Sequence, residues 1–266
     1  MNVFQAIIIA IVEGLTEFLP VSSTGHMIIV SSLLGISKDE FTKLFEVVIQ
    51  LGAILAVVVF YWKKFLVFDK NRFNFYLKLA VAVIPALILG FLFSKKIDAM
   101  LESPLTVGIS LLVGGIILLF VDNWFKEPTI LTEEKIDIFT ALRIGFYQCL
   151  ALIPGTSRSA ASIIGGMQQK LSRSVAAEFS FFLAVPTMAA ATGYKLLKGK
   201  ELLIAHPENL KLLLIGNIVA FVVALGAIKF FIGAVKKYGF KMWGYYRIVV
   251  GIIIIAAIFM GYTLEV

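Results

Sequence analysis

Long apolar runs alternate with short charged breaks along this chain, and the polar positions inside the runs are few and clustered. Six runs are uninterrupted, at about 44–62, 77–93, 105–122, 175–194, 212–232 and 248–264. Each suits a helix crossing the hydrocarbon core, which takes roughly 20 apolar residues. Pro85 and Pro186 lie inside the second and fourth runs and predict kinks there. Segment 123–139 is polar and amphipathic and predicts an interfacial helix after Pro128. Two further stretches, 2–36 and 140–169, break in the middle, at Pro20 and Pro154. Neither half of either stretch is long enough to span. Each pair suits a re-entrant helical hairpin, whose irregular tip must be covered by protein or line a cavity. The competing reading is eight plain spans with incidental prolines; the short halves and polar tips speak against it.

The two broken stretches echo each other at a spacing of 134. Pro20 falls opposite Pro154, Ser22 opposite Thr156, Ser23 opposite Ser157 and Thr24 opposite Arg158; further on, Glu46 falls opposite Ser180. Three spans follow each hairpin, an odd number, so the second copy is inverted in the membrane. The expected fold is an all-α polytopic membrane protein. It has six transmembrane helices plus two re-entrant helical hairpins in an inverted-topology repeat, about 1–122 and 140–266 of one membrane domain. The two tips then face each other near the midplane. Lys63, Lys64, Lys70, Arg72 and Lys78 stand against Asp69 in one basic loop, and Lys236, Lys237, Lys241 and Arg247 form another. Placing both in the cytoplasm follows the positive-inside tendency. The termini and the mouth of the first hairpin then lie outside. Loop 95–104 is mixed, with Lys95 and Lys96 against Asp98 and Glu102, and loop 195–211 holds His206.

Composition narrows this further. Hydrophobic residues make up 60% of the chain and charged residues 15%, which excludes a soluble domain. The net charge of +7 sits in short loops, so it reads as membrane orientation and not as nucleic-acid binding. The single cysteine, Cys149, excludes an intramolecular disulfide and reads as a small filler. The N-terminal run lacks a basic leader and reads as mature protein.

The chemistry concentrates at the breaks. In EGLTEFLPVSSTGH, residues 13–26, Glu13 and Glu17 are four apart and share a helix face. A charge at membrane depth costs roughly 2.5–3.5 kcal/mol even on the lenient insertion scale, so such a cluster implies a role. Two half-helix N-termini meeting in one cavity make an anion site. Thr156, Ser157 and Ser159 add hydroxyls, and Arg158 adds a fork that fits phosphate oxygens. Plainer roles stand beside these: Arg158 pairing with Glu13 or Glu17, and Ser22, Ser23 and Thr24 acting as caps. Glu46 and Gln50 can face the same hairpin. His26, beside two serines and two carboxylates, is a catalytic candidate; His206 is loop chemistry. The carboxylates, Glu13 and Glu17, could hold Mg²⁺ or Ca²⁺. On the residues alone, the anion could be cut or carried.

EGLTEFLPVSSTGH at 13–26 and PGTSRS at 154–159 resemble the two signature motifs of the undecaprenyl-diphosphatase family, the bacitracin-resistance proteins of bacteria. FEVVIQLGAILAVV at 45–58 is similar to that family's following span, so the resemblance covers nearly the full length. It implies an enzyme of the bacterial inner membrane that hydrolyses undecaprenyl diphosphate to the monophosphate and phosphate. That recycles the lipid carrier for peptidoglycan. It further implies a lipid substrate and leaves room for a homodimer; the odd span count and the basic loops predict a site opening to the outer face, and the charge distribution predicts no nucleic-acid partner. By motif, Glu17, Ser23, His26 and Arg158 would be catalytic. Ser22, Thr24, Gly155, Thr156, Ser157, Ser159 and Ser162 would surround the substrate. Family members usually continue the second motif with Gly-Ala-Thr; here Ala160, Ala161 and Ser162 stand there, keeping the hydroxyl but not the glycine. The alternative function is a transporter (flippase) of polyprenyl phosphate, since broken helices in inverted repeats are common in carriers. A carrier needs no nucleophile, so the Glu17, Ser23 and His26 cluster favours the enzyme. Ser23 is the expected nucleophile and His26 its proton partner, with Glu17 orienting the ring or taking the proton instead. Attack by His26 itself, or by a water activated by Glu17, are the competing routes.

Overall fold

The computed structural model describes residues 1–66, 70–101 and 103–261, without the side chains of 70, 71 and 98. Asp69, Glu102, the side chains of Lys70 and Asp98, and the end of the sixth expected span at 262–264 therefore lie outside the described residues. Among the described residues the chain is mostly helical: α1 Val3–Thr16, α2 Ser23–Leu33, α3 Glu40–Val48, α4 Gln50–Phe60, α5 Trp62–Leu66, α6 Lys70–Leu92, α7 Ser94–Leu101, α8 Pro104–Trp124, α9 Ile138–Gln148, α10 Arg158–Gln168, α11 Arg173–Lys198, α12 Lys200–Ala205, α13 Asn209–Tyr238 and α14 Lys241–Phe259. Among the described residues, six helical stretches are long and apolar enough to cross a membrane: Glu40–Phe60, Arg72–Leu92, Pro104–Trp124, Arg173–Lys198, Asn209–Tyr238 and Lys241–Phe259. Val3–Thr16 and Ile138–Leu152 are apolar but shorter.

Side-chain caps set many of the starts. Asn2 and Gln5 form a reciprocal box at α1, while Asp39, Ser103, Asp137 and Ser172 each accept a backbone N–H at the next helix start they precede. Pro85 and Pro186 are both carried inside continuous helices. The first span is interrupted at Ile49, where Asn217 Oδ1 accepts the Gly52 N–H at 2.8 Å.

Packing is closest where side chains are smallest. α8 lies against α14 through Gly115 and Gly244: a Cβ at either would sit 2.8 Å from the carbonyl oxygen of the other. Such small-residue seams let backbones touch where apolar burial no longer drives association. α1 packs on α13 and α9 on α6, with Gly14 against the Ala220 carbonyl and Gly145 against Ala82. Aromatic rings fill the interior elsewhere. Phe182 takes Tyr61, Phe65 and Phe75 edge-on at 4.9, 5.7 and 5.4 Å between centroids.

Three sequence-based expectations change. Segment 123–139 holds no interfacial helix after Pro128. Instead the Thr129 and Ile130 N–H groups donate to the Lys170 carbonyl, and the Ser172 N–H to that of Ile130. Only a short 3₁₀ turn, Glu133–Lys135, follows before α9. Buried Glu133 is held by Lys64 at 3.1 Å and Lys78 at 3.7 Å. The Lys64 ammonium also bonds Glu134, pulling that exposed carboxyl down to about 2. Loops 95–104 and 195–211 contain the short helices α7 and α12. Finally, Arg247 is no loop residue. Gly239 turns the chain at φ 67°, Asp122 Oδ2 accepts the Phe240 N–H at 2.7 Å, and α14 starts at Lys241. That places Arg247 inside a span, fully buried.

Candidate active site

Both polar turns are built on one plan. α1 ends at Thr16 because Pro20 has no N–H to give the Thr16 carbonyl. After the turn, Ser22 sits at φ 71°, uncommon for a residue with a side chain, and its Oγ accepts the Gly25 N–H at 3.3 Å to cap α2. In the second turn Ser157 sits at φ 75°, and its Oγ accepts the Ala160 N–H at 3.2 Å to cap α10. Ser157 is thus the counterpart of Ser22, whereas the proline-to-proline spacing put it opposite Ser23. Gly155, at φ 86°, is the additional residue that shifts the register. The position after each cap is where the copies differ: Ser23 in one, Arg158 in the other. Ala160 lies within α10, so the missing glycine costs nothing there.

These two residues meet on one carboxylate. The Ser23 hydroxyl donates to Glu17 Oε2 at 2.5 Å, and Arg158 Nη2 donates to Glu17 Oε1 at 2.6 Å. Arg158 Nη1 donates to the Ser180 carbonyl at 2.9 Å and to its hydroxyl at 3.2 Å. The Ser162 and Ser180 hydroxyls are 2.7 Å apart, and Ser162 also donates to the Arg158 carbonyl at 2.8 Å. The guanidinium lies 6.0 Å from the centre of the Phe18 ring, itself braced edge-on by Phe181. Ser159 donates to the Leu19 carbonyl at 2.7 Å, tying the second turn to the first.

A cavity of about 220 Å³ opens beside this group. Its polar wall includes Glu17, Ser22, Ser23, Thr24, Gly155, Ser157 and Arg158; its apolar wall includes Ala86, Ile97, Leu101 and Leu152. The other expected residues stand behind it. Ser159 and Ser162 are buried in the bonds just given, and Thr156 turns its carbonyl to Arg247 at 2.9 Å. His26 is engaged at both nitrogens. Nδ1 donates to the Ser22 carbonyl and Nε2 meets the Tyr246 hydroxyl, each at 2.7 Å. The Ser23 hydroxyl turns to Glu17, so the expected contact between Ser23 and His26 is not formed.

Glu13 lies one turn before Glu17 and is fully buried, and among the described residues neither of its oxygens has a hydrogen-bond partner. No group of three His, Cys, Asp or Glu side chains able to hold a metal occurs among the described residues. A hard cation would find the two unpartnered oxygens of Glu13 one helical turn from Glu17.

Sequence reasoning missed Ser180, Gln148, Thr187, Tyr246 and Arg247. Gln148 and Thr187 line the cavity, with the Gln148 amide donating to Thr187 Oγ1 at 3.2 Å. Gln148 was findable as the one amide between Thr140 and Met167, and Arg247 as the one charged residue between Lys241 and Glu265.

Similarity to known proteins bears on this arrangement. The family model for the bacitracin resistance protein BacA matches residues 6–253. The undecaprenyl-diphosphatase of Flavobacterium psychrophilum is 61% identical over 256 residues, covering 96% of this chain and 95% of that one. Those of Flavobacterium johnsoniae and Bdellovibrio bacteriovorus are 57% and 49% identical, over 100% of this chain and 100% and 99% of theirs.

Proposed function

The chain belongs to the bacitracin-resistance BacA family, and we propose on that footing that it hydrolyses undecaprenyl diphosphate to undecaprenyl phosphate and phosphate. This returns the lipid carrier to peptidoglycan synthesis. The observation that carries the chemistry is Glu17 held between the Ser23 hydroxyl and the Arg158 guanidinium where the N-termini of α2 and α10 meet.

The terminal phosphate of the substrate sits against the N–H groups and positive ends of the two half-helices. Arg158 turns its fork from Glu17 to the phosphate oxygens. Ser23 Oγ attacks the terminal phosphorus as its proton passes to Glu17 Oε2. The bond from that phosphorus to the bridging oxygen breaks, and undecaprenyl phosphate leaves. Water then attacks the phosphoserine. Protonated Glu17 returns its proton to the departing Ser23 oxygen, and the water's proton leaves with the phosphate. His26 braces the Ser22 cap from the side of Tyr246. Glu13 and Glu17 would hold a divalent cation, Mg²⁺ or Ca²⁺, which supplies charge neutralisation at phosphate oxygens.

The decisive experiment measures phosphate released from undecaprenyl diphosphate by the purified, detergent-solubilised chain, where no membrane remains to be crossed. Release is expected, falling with a chelator and recovering with Mg²⁺ or Ca²⁺. Unchanged release under chelation removes the cation and leaves the carboxylates as acid and base alone. No release from folded protein hands the chain to the alternative, a flippase.

The two broken pairs are re-entrant, in this reading, and the halves are an inverted repeat in the bacterial inner membrane. Reciprocal packing supports it: α1 on α13, α9 on α6, and the third spans α8 and α14 on each other. Serine caps with positive φ in the same place in both turns support it again. The site opens to the outer face. In a Cys149→Ser background, a cysteine at position 40 should then react with an impermeant thiol reagent in intact cells, and one at position 70 should not. The opposite pattern inverts the orientation.

A further inference from the structure

We propose that Arg247 is a positioning residue that fixes the two catalytic turns to each other, so that Ser23 and Arg158 close on one phosphate. The role presupposes the phosphatase reading above. Arg247 is fully buried in α14, and its guanidinium is a hub of carbonyls. Nε donates to Leu111 at 3.3 Å; Nη1 donates to Pro20 at 3.1 Å and Thr156 at 2.9 Å; Nη2 donates to Ser110 at 3.0 Å and Gly155 at 2.9 Å. All five N–H groups of the side chain are spent, and every acceptor is main chain.

A cation at this depth is expensive. The carbonyls of Ser110 and Leu111 lie inside α8 and keep their helical donors. Those of Pro20, Gly155 and Thr156 accept no backbone N–H among the described residues and would otherwise stand without donors in apolar surroundings, which is expensive too. These three belong to the turns: Pro20 to the first, Gly155 and Thr156 to the second. The other two anchor the hub to α8. A trans peptide points its N–H opposite to its C=O. Drawing the Pro20 and Thr156 carbonyls to Arg247 therefore turns the N–H groups of Val21 and Ser157 away from it. The residues that follow, 22–24 in one turn and 157 and 158 in the other, line the substrate cavity. Arg247 thus sets the distance and the tilt between the nucleophile's turn and the anion-binding turn without touching substrate. Gly114 on α8 makes the space: a Cβ there would collide with Nη2 and lie 2.7 Å from the guanidinium carbon. Lysine cannot replace the hub, since three donors on one nitrogen do not reach five carbonyls.

The test uses the full chain in detergent, as wild type, Arg247→Lys and Gly114→Ala. It reads turnover of undecaprenyl diphosphate and backbone hydrogen exchange over 18–24 and 153–159. For Arg247→Lys, kcat is expected to fall about 10²-fold, the cost of a misplacement of about 1 Å, with KM nearly unchanged. Both turns should exchange faster together while α13 does not. Gly114→Ala, which keeps the charge but pushes the guanidinium, should show the same pattern more weakly. Normal kcat in folded Arg247→Lys, loosening of one turn only, or faster exchange spread over the whole chain would each overturn the proposal. Should Arg247→Lys not survive purification, Gly114→Ala decides by the same readouts. If the wild type releases no phosphate, the phosphatase reading fails by itself. Paired loosening of the turns then still supports the hub, and its absence overturns it.

Discussion

Arg158→Lys is expected to lower turnover of undecaprenyl diphosphate on the order of 10²-fold or more, the usual loss when one transition-state donor is removed. The substitution keeps the charge, so the loss measures geometry. In the structure the fork works in two directions: Nη2 reaches Glu17 and Nη1 reaches Ser180. A lysine ammonium is a single point on a flexible stem and cannot hold both. In the reaction the same fork grips two phosphate oxygens, and their charge grows as the phosphorus is attacked. Most of the loss should therefore appear in kcat and not in KM. Near-normal turnover in this variant would remove Arg158 from the reacting group and leave it as the ion-pair partner of Glu17.

Glu17→Gln and Ser23→Ala should each cost about 10²- to 10⁴-fold, the range for a positioned general base and the nucleophile it serves. Glutamine keeps the shape of the carboxylate but takes no proton at neutral pH, and it removes the counter-charge of Arg158. Alanine at 23 removes the hydroxyl that lies 2.5 Å from that carboxylate. His26→Ala should cost less than Ser23→Ala, because the ring is joined to Ser22 and Tyr246. Trapping with labelled substrate separates the routes. Phosphoserine survives acid, phosphohistidine survives base but not acid, and direct water attack leaves the protein unlabelled. Acid-stable label lost in Ser23→Ala supports the serine. Label stable in base and lost in acid moves the nucleophile to His26, and no label at all moves the attack to water.

Much of the site was legible because a polar residue in an apolar run is costly and so carries information. Glu13, Glu17, Ser23 and Arg158 stood out on that ground, and the structure brings Glu17, Ser23 and Arg158 into direct contact. Arg247 obeyed the same rule but was read with Lys236, Lys237 and Lys241 as loop charge. The turn that separates Lys236 and Lys237 from it is made by Gly239 and by Asp122 from another helix, a tertiary contact no local pattern reveals, and Lys241 begins the same helix that carries Arg247. Segment 123–139 failed for a similar reason. Its amphipathic pattern is real, but the N–H groups of Thr129 and Ile130 are taken by the Lys170 carbonyl, far along the chain. The register of the two turns was off because proline is the visible landmark while the cap is the functional one, and Gly155 lies between them.

The placement of Arg247 in the last span also sets an order of construction. A chain made from its N-terminus exposes Ser23 early, Arg158 past the middle and Arg247 near the end. Until α14 joins α8, three carbonyls of the two turns lack the donors that hold them. With Arg247 in the proposed role, a nascent chain stopped after five spans carries Glu17, Ser23 and Arg158 but lacks the hub, and release of phosphate is expected to begin only once α14 is seated on α8.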